Sequence, residues 1–468
     1  MTEKLFTPKQ IIFGIIGIIV AAIFFIVEPP KGLSIEGMKC LGIFLMAIVW
    51  WMGDVFPDYI TAFWLLTLLV VFKIVPLEMS FSAYSGGVIW IVIPALAIGV
   101  ALSKSGLLQR IVLKILSKFK GTFNGQVKAF LLAGNIIGPL IPSATAKVAI
   151  AAPLARTYSD TMGFKPKSKG AAGLFSSMWM SFGVAGPFFL TGTTMCFTMI
   201  GLLPKESQGA WTWLHWFAAV WPWGVVLLIG SYFAIRLFYT PDDQIELPEG
   251  YIANQYKELG QMTRNEKIAA FVLAGCLVLW VTESIHGISA ALVALLGMSV
   301  LLGTKVLDRQ SFRSNIAWDT VVFIAANTGI AGVFKAVGIT KWFSASYGVY
   351  VEPLFSNIVV LIVASVIIIS ILRFIFVSQT ALMTVYVVAA TPFALAAGID
   401  PFIPGIIALV TVNVWNVFYH NVTFITTHAA SGEMVEYKQL QKMSYVYMVL
   451  CIVGMLCCIP VWKMLGML

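Results

Sequence analysis

Gly138-Pro139-Leu140-Ile141-Pro142-Ser143-Ala144-Thr145-Ala146-Lys147 is the stretch on which the fold turns. Proline removes a backbone N–H and clashes with the preceding helical turn, so two prolines and a glycine within five residues stop any helix that reaches them. Yet the flanks are apolar, and residues 124–162 are broken again at Gly134 and Pro153. Non-helical backbone at membrane depth survives only when protein or a water-filled cavity surrounds it. Residues 124–162 therefore predict a re-entrant hairpin: two half-helices that enter and leave on one side, with Ser143-Ala144-Thr145 at the tip.

Composition places this hairpin in a bilayer. The chain has 468 residues, 59% hydrophobic and 11% charged, with a mean hydropathy of +0.92. A soluble domain carries roughly a quarter charged residues. Apolar runs near the ~20 residues needed to span hydrocarbon recur along the whole chain. The first, Ile11 to Val27, lacks a small-residue cleavage site after it and reads as a retained helix. The formal charge of +9 fits basic loops on the cytoplasmic side and not nucleic acid. Cys40, Cys196, Cys276, Cys451, Cys457 and Cys458 lie in or beside apolar spans without metal-ligand or disulfide spacing. No nucleotide-binding Gly-x-x-x-x-Gly-Lys-Ser/Thr loop is present, so transport, if it occurs, is secondary.

Outward from the hairpin, spans read at 36–53, 58–75 and 87–103, followed by a basic amphipathic stretch from Lys104 to Lys120 expected to lie on the inner surface. An interrupted span covers 169–203, and an ordinary helix 215–238. The polar segment beginning Pro241-Asp242-Asp243 reads as the linker between halves. The second half repeats the plan with helices near 267–283, 285–303 and 317–335, a short amphipathic piece around Lys341, a broken run at 354–398, an interrupted span at 401–430 and a last helix at 441–462.

Short matches recur in the same order in both halves. Ser143-Ala144-Thr145 matches Ser378-Gln379-Thr380, and at the same offset Leu190-Thr191-Gly192-Thr193 meets Ile425-Thr426-Thr427-His428. Trp51-Met52-Gly53-Asp54 corresponds to Trp280-Val281-Thr282-Glu283, and Ser105-Gly106-Leu107 to Val337-Gly338-Ile339. With the amino terminus inside and eleven crossings, most Lys and Arg fall on the cytoplasmic side. The hairpins then enter from opposite faces, as in inverted repeats.

The chemistry follows from the tips. A half-helix that starts at a re-entrant tip presents free N–H groups and the positive end of its dipole, and the hydroxyls of Ser143 and Thr145 add donors. That combination suits a carboxylate, and Ser378 and Thr380 suit a second. Thr191, Gly192, Thr193, Thr426, Thr427 and His428 are expected to line the space between, with weaker claims for His420, Asn413, Asn416 and Asn421. Lys147 is an intramembrane ammonium, costly unless paired or wet, and is read as a charge lining the site. Arg373 is a candidate for charge compensation, against the plainer reading of an ion pair in the bundle. Asn421-Val422-Thr423 fits a glycosylation acceptor, but it lies inside an apolar span and is set aside.

These residues resemble the divalent anion:sodium symporter family of dicarboxylate and citrate transporters. The likeness covers nearly the whole chain, including Trp50-Trp51-Met52-Gly53-Asp54-Val55-Phe56-Pro57 and the Gly106-Leu107 turn. It implies an all-α polytopic fold with eleven transmembrane helices and two re-entrant hairpins, a homodimer, and elevator movement of a transport domain against a scaffold. Sodium-coupled members carry Asn at the middle of each tip, where this chain has Ala144 and Gln379. Pro142-Ser143-Ala144-Thr145-Ala146-Lys147, Phe189-Leu190-Thr191-Gly192 and Ser378-Gln379-Thr380 are similar to the exchanger branch, in which fixed side-chain cations replace sodium. Lys147 would fill one such role. The branch's usual histidine is Leu382 here, which leaves Arg373 or His428 for the second.

The expected domains are scaffold 1–121 and 267–350, transport domain 122–238 and 351–468, and a cytoplasmic linker at 239–266. The expected function is sodium-independent exchange of C4-dicarboxylates, 2-oxoglutarate or citrate; sodium-coupled symport is the alternative. No cofactor or metal is expected, with sodium entering only under the alternative, and no nucleic-acid partner. A bacterial inner membrane is the expected location. An intramembrane enzyme would need a nucleophile–base pair or metal cluster that the spacing does not supply, and a passive channel would not need a duplicated tip.

Overall fold

The computed structural model describes residues 6–242 and 246–468, all of whose regular structure is helical. Residues 243–245 of the expected linker lie outside the described residues. The chain opens with helices Pro8–Ile26 and Ile35–Gly53 packed against each other. The first starts at a reciprocal Thr7–Gln10 cap and leaves its isoleucines on the outside. Such a surface belongs in lipid.

Among the described residues, six helices are long and apolar enough to cross a membrane: Pro8–Ile26, Ile35–Gly53, Gly87–Ser105, Trp213–Tyr239, Gln379–Ala396 and Tyr437–Met464. The remaining expected spans fall short for local reasons. Asp58–Val71 and Ala290–Gly303 have 14 residues each, about 21 Å of helix against ~30 Å of hydrocarbon. The two interrupted spans are split into halves by their breaks.

The first hairpin is Phe123–Ile137, a 3₁₀ turn at Gly138–Leu140, and Ala144–Thr161. The second is Ile358–Leu372 and Gln379–Ala396, with the break between them. Each is followed by an interrupted span: Lys169–Met178 with Thr194–Leu202 in the first half, Phe402–Thr411 with Val422–Ala430 in the second. A long helix closes each half, and these two, Trp213–Tyr239 and Tyr437–Met464, pack together. Away from them, Gly87–Ser105 packs on Ala290–Gly303 and Arg264–Val281, and Asp58–Val71 on Trp318–Thr328. The closing helices thus pair like with like, whereas Gly87–Ser105, the counterpart of Trp318–Thr328, and Asp58–Val71, the counterpart of Ala290–Gly303, exchange partners between the halves.

Gly106 and Gly338, at φ of 86° and 79°, end a helix in each half by the left-handed turn that glycine adopts without a Cβ penalty. After Gly106 comes the amphipathic helix Leu107–Leu116, apolar side inward. Its Arg110 is not on a solvated basic face. The guanidinium is buried, bonded to Glu266 at 2.6 and 3.2 Å and to the carbonyl of Gly260 at 2.9 Å. The linker also contains a helix, Tyr251–Glu258, packed against Leu107–Leu116. After Gly338 the piece expected to be short is a 17-residue helix, Ile339–Phe355, bent by 76° from the span before it.

Candidate functional site

Between the two hairpins and the interrupted spans lies a cavity of about 560 Å³. Hairpin residues Ser143, Ala144, Thr145, Gln379 and Thr380 reach it, as do Thr193, Asn413, Asn421 and Thr423 from the interrupted spans. Leu96, Ala317 and Thr320 close it from the packed bundle outside.

The cavity is where four half-helices begin. Each start has a polar cap residue, because an N-cap side chain satisfies one of the orphan donors of the first turn. Ser143 accepts from the Ala146 N–H at 3.2 Å, and Ser378 from that of Ala381 at 3.2 Å. Thr193 accepts from the Met195 N–H at 3.4 Å, and Asn421 from that of Phe424 at 3.1 Å. Helix starts carry a partial positive charge. No charged side chain lines the cavity among the described residues. Four helix starts converging on polar, uncharged walls are an arrangement that suits an anion.

Lys147 stands behind the wall and not in it. It is fully buried, and its Nζ donates to the carbonyl oxygen of Gly192 at 2.8 Å. No carboxylate among the described residues lies within 4.0 Å of it. Thr191 is also structural in its contacts: its hydroxyl donates to the Pro139 carbonyl at 2.7 Å and accepts from the Trp213 indole at 3.2 Å. Together with the Thr194 N–H to the Pro142 carbonyl at 2.9 Å, these bonds tie the first hairpin to the first interrupted span. Gly192 lies at the tightest point, where a Cβ would stand 2.1 Å from the Gly186 carbonyl oxygen.

The second half is tied differently. Gln379 Nε2 donates to the Val412 carbonyl at 3.1 Å, and Asn421 Nδ2 to that of Asn413 at 3.1 Å. Arg373 is fully buried and caps its own hairpin break, giving Nη1 to the carbonyls of Phe376 at 2.7 Å and Val377 at 3.0 Å. Its Nε and Nη2, and both ring nitrogens of the buried His420 on the neighbouring break, have no hydrogen-bond partner among the described residues. The ion pair expected as the plain reading of Arg373 is absent among the described residues. Ser378 does not face the cavity; its hydroxyl donates to Asp58 Oδ2 at 2.6 Å.

Thr426, Thr427 and His428 do not line the cavity. Thr426 and Thr427 bond back to the Thr423 carbonyl inside their own half-helix, and His428 Nε2 pairs with the Val435 carbonyl at 2.8 Å. The structural duplicate of Thr193 is Asn421: each follows a 3₁₀ turn and caps a nine-residue half-helix. The offset taken from the hairpin tips misaligned the interrupted spans chiefly because the break within the span is longer in the first half, residues 179–193, than in the second, residues 412–421. Of the residues given weaker claims, Asn413 and Asn421 line the cavity and His420 and Asn416 do not. Thr423, noted in the sequence only within a glycosylation pattern, also lines it and reaches across to Thr145 at 3.5 Å. The signal that strengthens Asn421 over His428 is an Asn after a broken stretch and before an apolar run, which is an N-cap pattern.

The family model described as the sodium:sulfate symporter transmembrane region matches residues 9–468. A putative malate transporter of Bacillus subtilis, YflS, is 28% identical over 339 residues, 70% of each chain. The chloroplastic dicarboxylate transporter 1 of spinach is 27% identical over 70% of this chain and 59% of its own length. An L-tartrate/succinate antiporter of Escherichia coli is 26% identical over 70% of this chain and 68% of its own. Two solved structures share the fold. Neisseria gonorrhoeae MtrF, of a class of antimetabolite efflux pumps, matches at TM-score 0.59 and 15% identity, over 98% of this chain and 95% of that one. The Alcanivorax borkumensis YdaH transporter matches at TM-score 0.57 and 14% identity, over 98% and 97%.

Proposed function

We propose that this chain, which belongs to the sodium:sulfate symporter transmembrane family, is a secondary transporter that exchanges dicarboxylates without sodium. The observation that carries this reading is the fully buried Lys147, bonded to a backbone carbonyl beside a cavity where four helix starts meet. An empty site with an unpaired internal ammonium is costly to carry through a low-dielectric barrier, while an anion-filled one is less so. That asymmetry makes movement conditional on substrate, which is exchange. The names of relatives that transport malate, dicarboxylates, or tartrate against succinate support the substrate class.

In this reading Ser143, Thr145, Gln379, Thr380, Thr193, Asn421 and Thr423 supply the donors for two carboxylates. The hairpins and interrupted spans travel as a transport domain (122–238 and 351–468) against a scaffold (1–121 and 267–350). Eleven crossings, an elevator motion, a homodimer and an inner-membrane setting with the amino terminus in the cytoplasm belong to the same proposal. The packing of each half's elements on those of the other, reciprocal between the halves, supports the division.

Proteoliposomes test it. Uptake of labelled succinate or malate is expected to require unlabelled dicarboxylate inside and to ignore sodium. Uptake that follows a sodium gradient and is indifferent to preloading would establish the symport alternative, which the family's description names.

A further inference from the structure

Ser378 is the cap of the second hairpin's return arm, one residue before the cavity residues Gln379 and Thr380. A serine hydroxyl has a single proton to donate. In this structure it is donated at 2.6 Å to the Asp58 carboxylate, from the first turn of Asp58–Val71, a helix that packs in the other bundle. The lone pair of the same hydroxyl serves the cap, accepting from Ala381. Ser378 therefore has no proton left for a ligand.

The matching serine of the first hairpin is not held this way. Ser143 lines the cavity and caps its arm, and no bond from its hydroxyl to another side chain is present among the described residues. The two tips, alike in sequence, are thus in different states. One is open to an anion, and one is closed on a carboxylate belonging to the protein.

We propose that Asp58 is a built-in carboxylate latch: it occupies the second tip's serine when substrate is absent and must yield that proton before a substrate carboxylate can be gripped there. This rests on reading the Ser378–Thr380 tip as half of a dicarboxylate clamp. The contact joins Asp58–Val71 to the second hairpin, so releasing it also removes one polar tie between the hairpin and the bundle it would move against. Substrate affinity is then lowered by the fraction of molecules that are latched. Asp58 follows Pro57, whose lack of an N–H and fixed φ suit a helix entry. The carboxylate is thereby held on a rigid start and not on a mobile loop.

The test uses the full chain in nanodiscs, with two readouts on wild type, Asp58→Ala and Asp58→Asn. Without ligand, backbone hydrogen exchange across residues 374–382 is expected to quicken about tenfold in Asp58→Ala, because a local opening is released. Binding of labelled succinate is expected to tighten about tenfold in Asp58→Ala and by less in Asp58→Asn, whose amide oxygen still accepts from the hydroxyl. Unchanged exchange in Asp58→Ala would overturn the latch, even with tighter binding, since removal of a charge alone explains the latter. A lower thermal midpoint with unchanged exchange and affinity would also overturn it and leave Asp58 a packing residue. Quickened exchange in a protein that binds neither succinate, malate nor citrate would uphold the latch and refute the dicarboxylate assignment.

Discussion

Lys147 Nζ donates to the carbonyl oxygen of Gly192 at 2.8 Å, joining the return arm of the first hairpin to the break in the interrupted span behind it. One bond to one carbonyl does not neutralise an ammonium, so under the proposed function the cation both braces the break and projects charge into the adjoining cavity. The next two substitutions separate these roles.

Lys147→Gln keeps a donor for the Gly192 carbonyl and loses the charge. It is expected to yield a monodisperse protein that has lost exchange by about a hundredfold or more, in keeping with a charge-assisted interaction. Counterflow in proteoliposomes measures it. Near-normal exchange would mean that bracing, and not charge, is the role of Lys147.

Gly192→Ala tests the bracing alone. The added methyl would stand 2.1 Å from a backbone oxygen, which no side-chain rotation relieves, so the break must open and the carbonyl held by Lys147 must shift. Overpacking of this kind costs about 1–3 kcal/mol. A lower thermal midpoint and a rise in the substrate concentration needed for half-maximal exchange are expected together.

Asn421→Ala and His428→Ala form a contrasting pair. Loss of the Asn421 cap costs the half-helix about 1 kcal/mol and removes a cavity amide, so succinate binding is expected to weaken about tenfold. His428→Ala is expected to stay within about twofold of wild type, because its ring faces the Val435 carbonyl and not the cavity. Titration of binding decides, and the reverse order would restore the alignment of His428 with Thr193.

Arg110 and Glu266 form an ion pair with side chains only 8% and 5% exposed, fastening Leu107–Leu116 to the start of the second half. Arg110→Ala strands a buried carboxylate, a change that costs about 3–5 kcal/mol. Thermal unfolding in detergent is expected to show the loss, with transport affinity in the surviving folded protein unchanged.

Asp308 supplies a pH test. It caps a short helix in a loop, and Lys104 together with the Ser311 N–H holds its carboxyl down to about 2. A carboxyl depressed on folding stabilises above its ordinary value and loses that contribution as pH falls toward the folded one. The midpoint difference between wild type and Asp308→Asn should therefore be present at neutral pH, shrink below about pH 4 and vanish near pH 2. A constant difference would show that the Lys104 contact is not electrostatic.

Much of the architecture was legible from local signals. Gly138, Pro139 and Pro142 announce the first break because their effect on the backbone needs no partner. Ser143 and Ser378 could be matched because hairpin tips in an apolar setting stand out. Boundaries held less well where a helix runs past a polar residue, as at Ile339–Phe355, since Lys341 can be carried on an outer face without ending the helix. The linker helix Tyr251–Glu258 is short and polar, and only its packing against Leu107–Leu116 holds it.

The amino-acid sequence by itself determined that this chain lives in a bilayer, that it is duplicated, and that it breaks at two tips suited to anions. Composition, hydropathy and the stereochemistry of proline are properties of the chain before it folds. Only the tertiary structure decided what the broken segments face: Lys147 turned to the Gly192 carbonyl, Ser378 held by Asp58, and Asn421, not His428, standing opposite Thr193. Broken backbone has no helical period from which to count. Its register is set by hydrogen bonds to residues far away in the chain, and these exist only once the two halves have closed on one cavity.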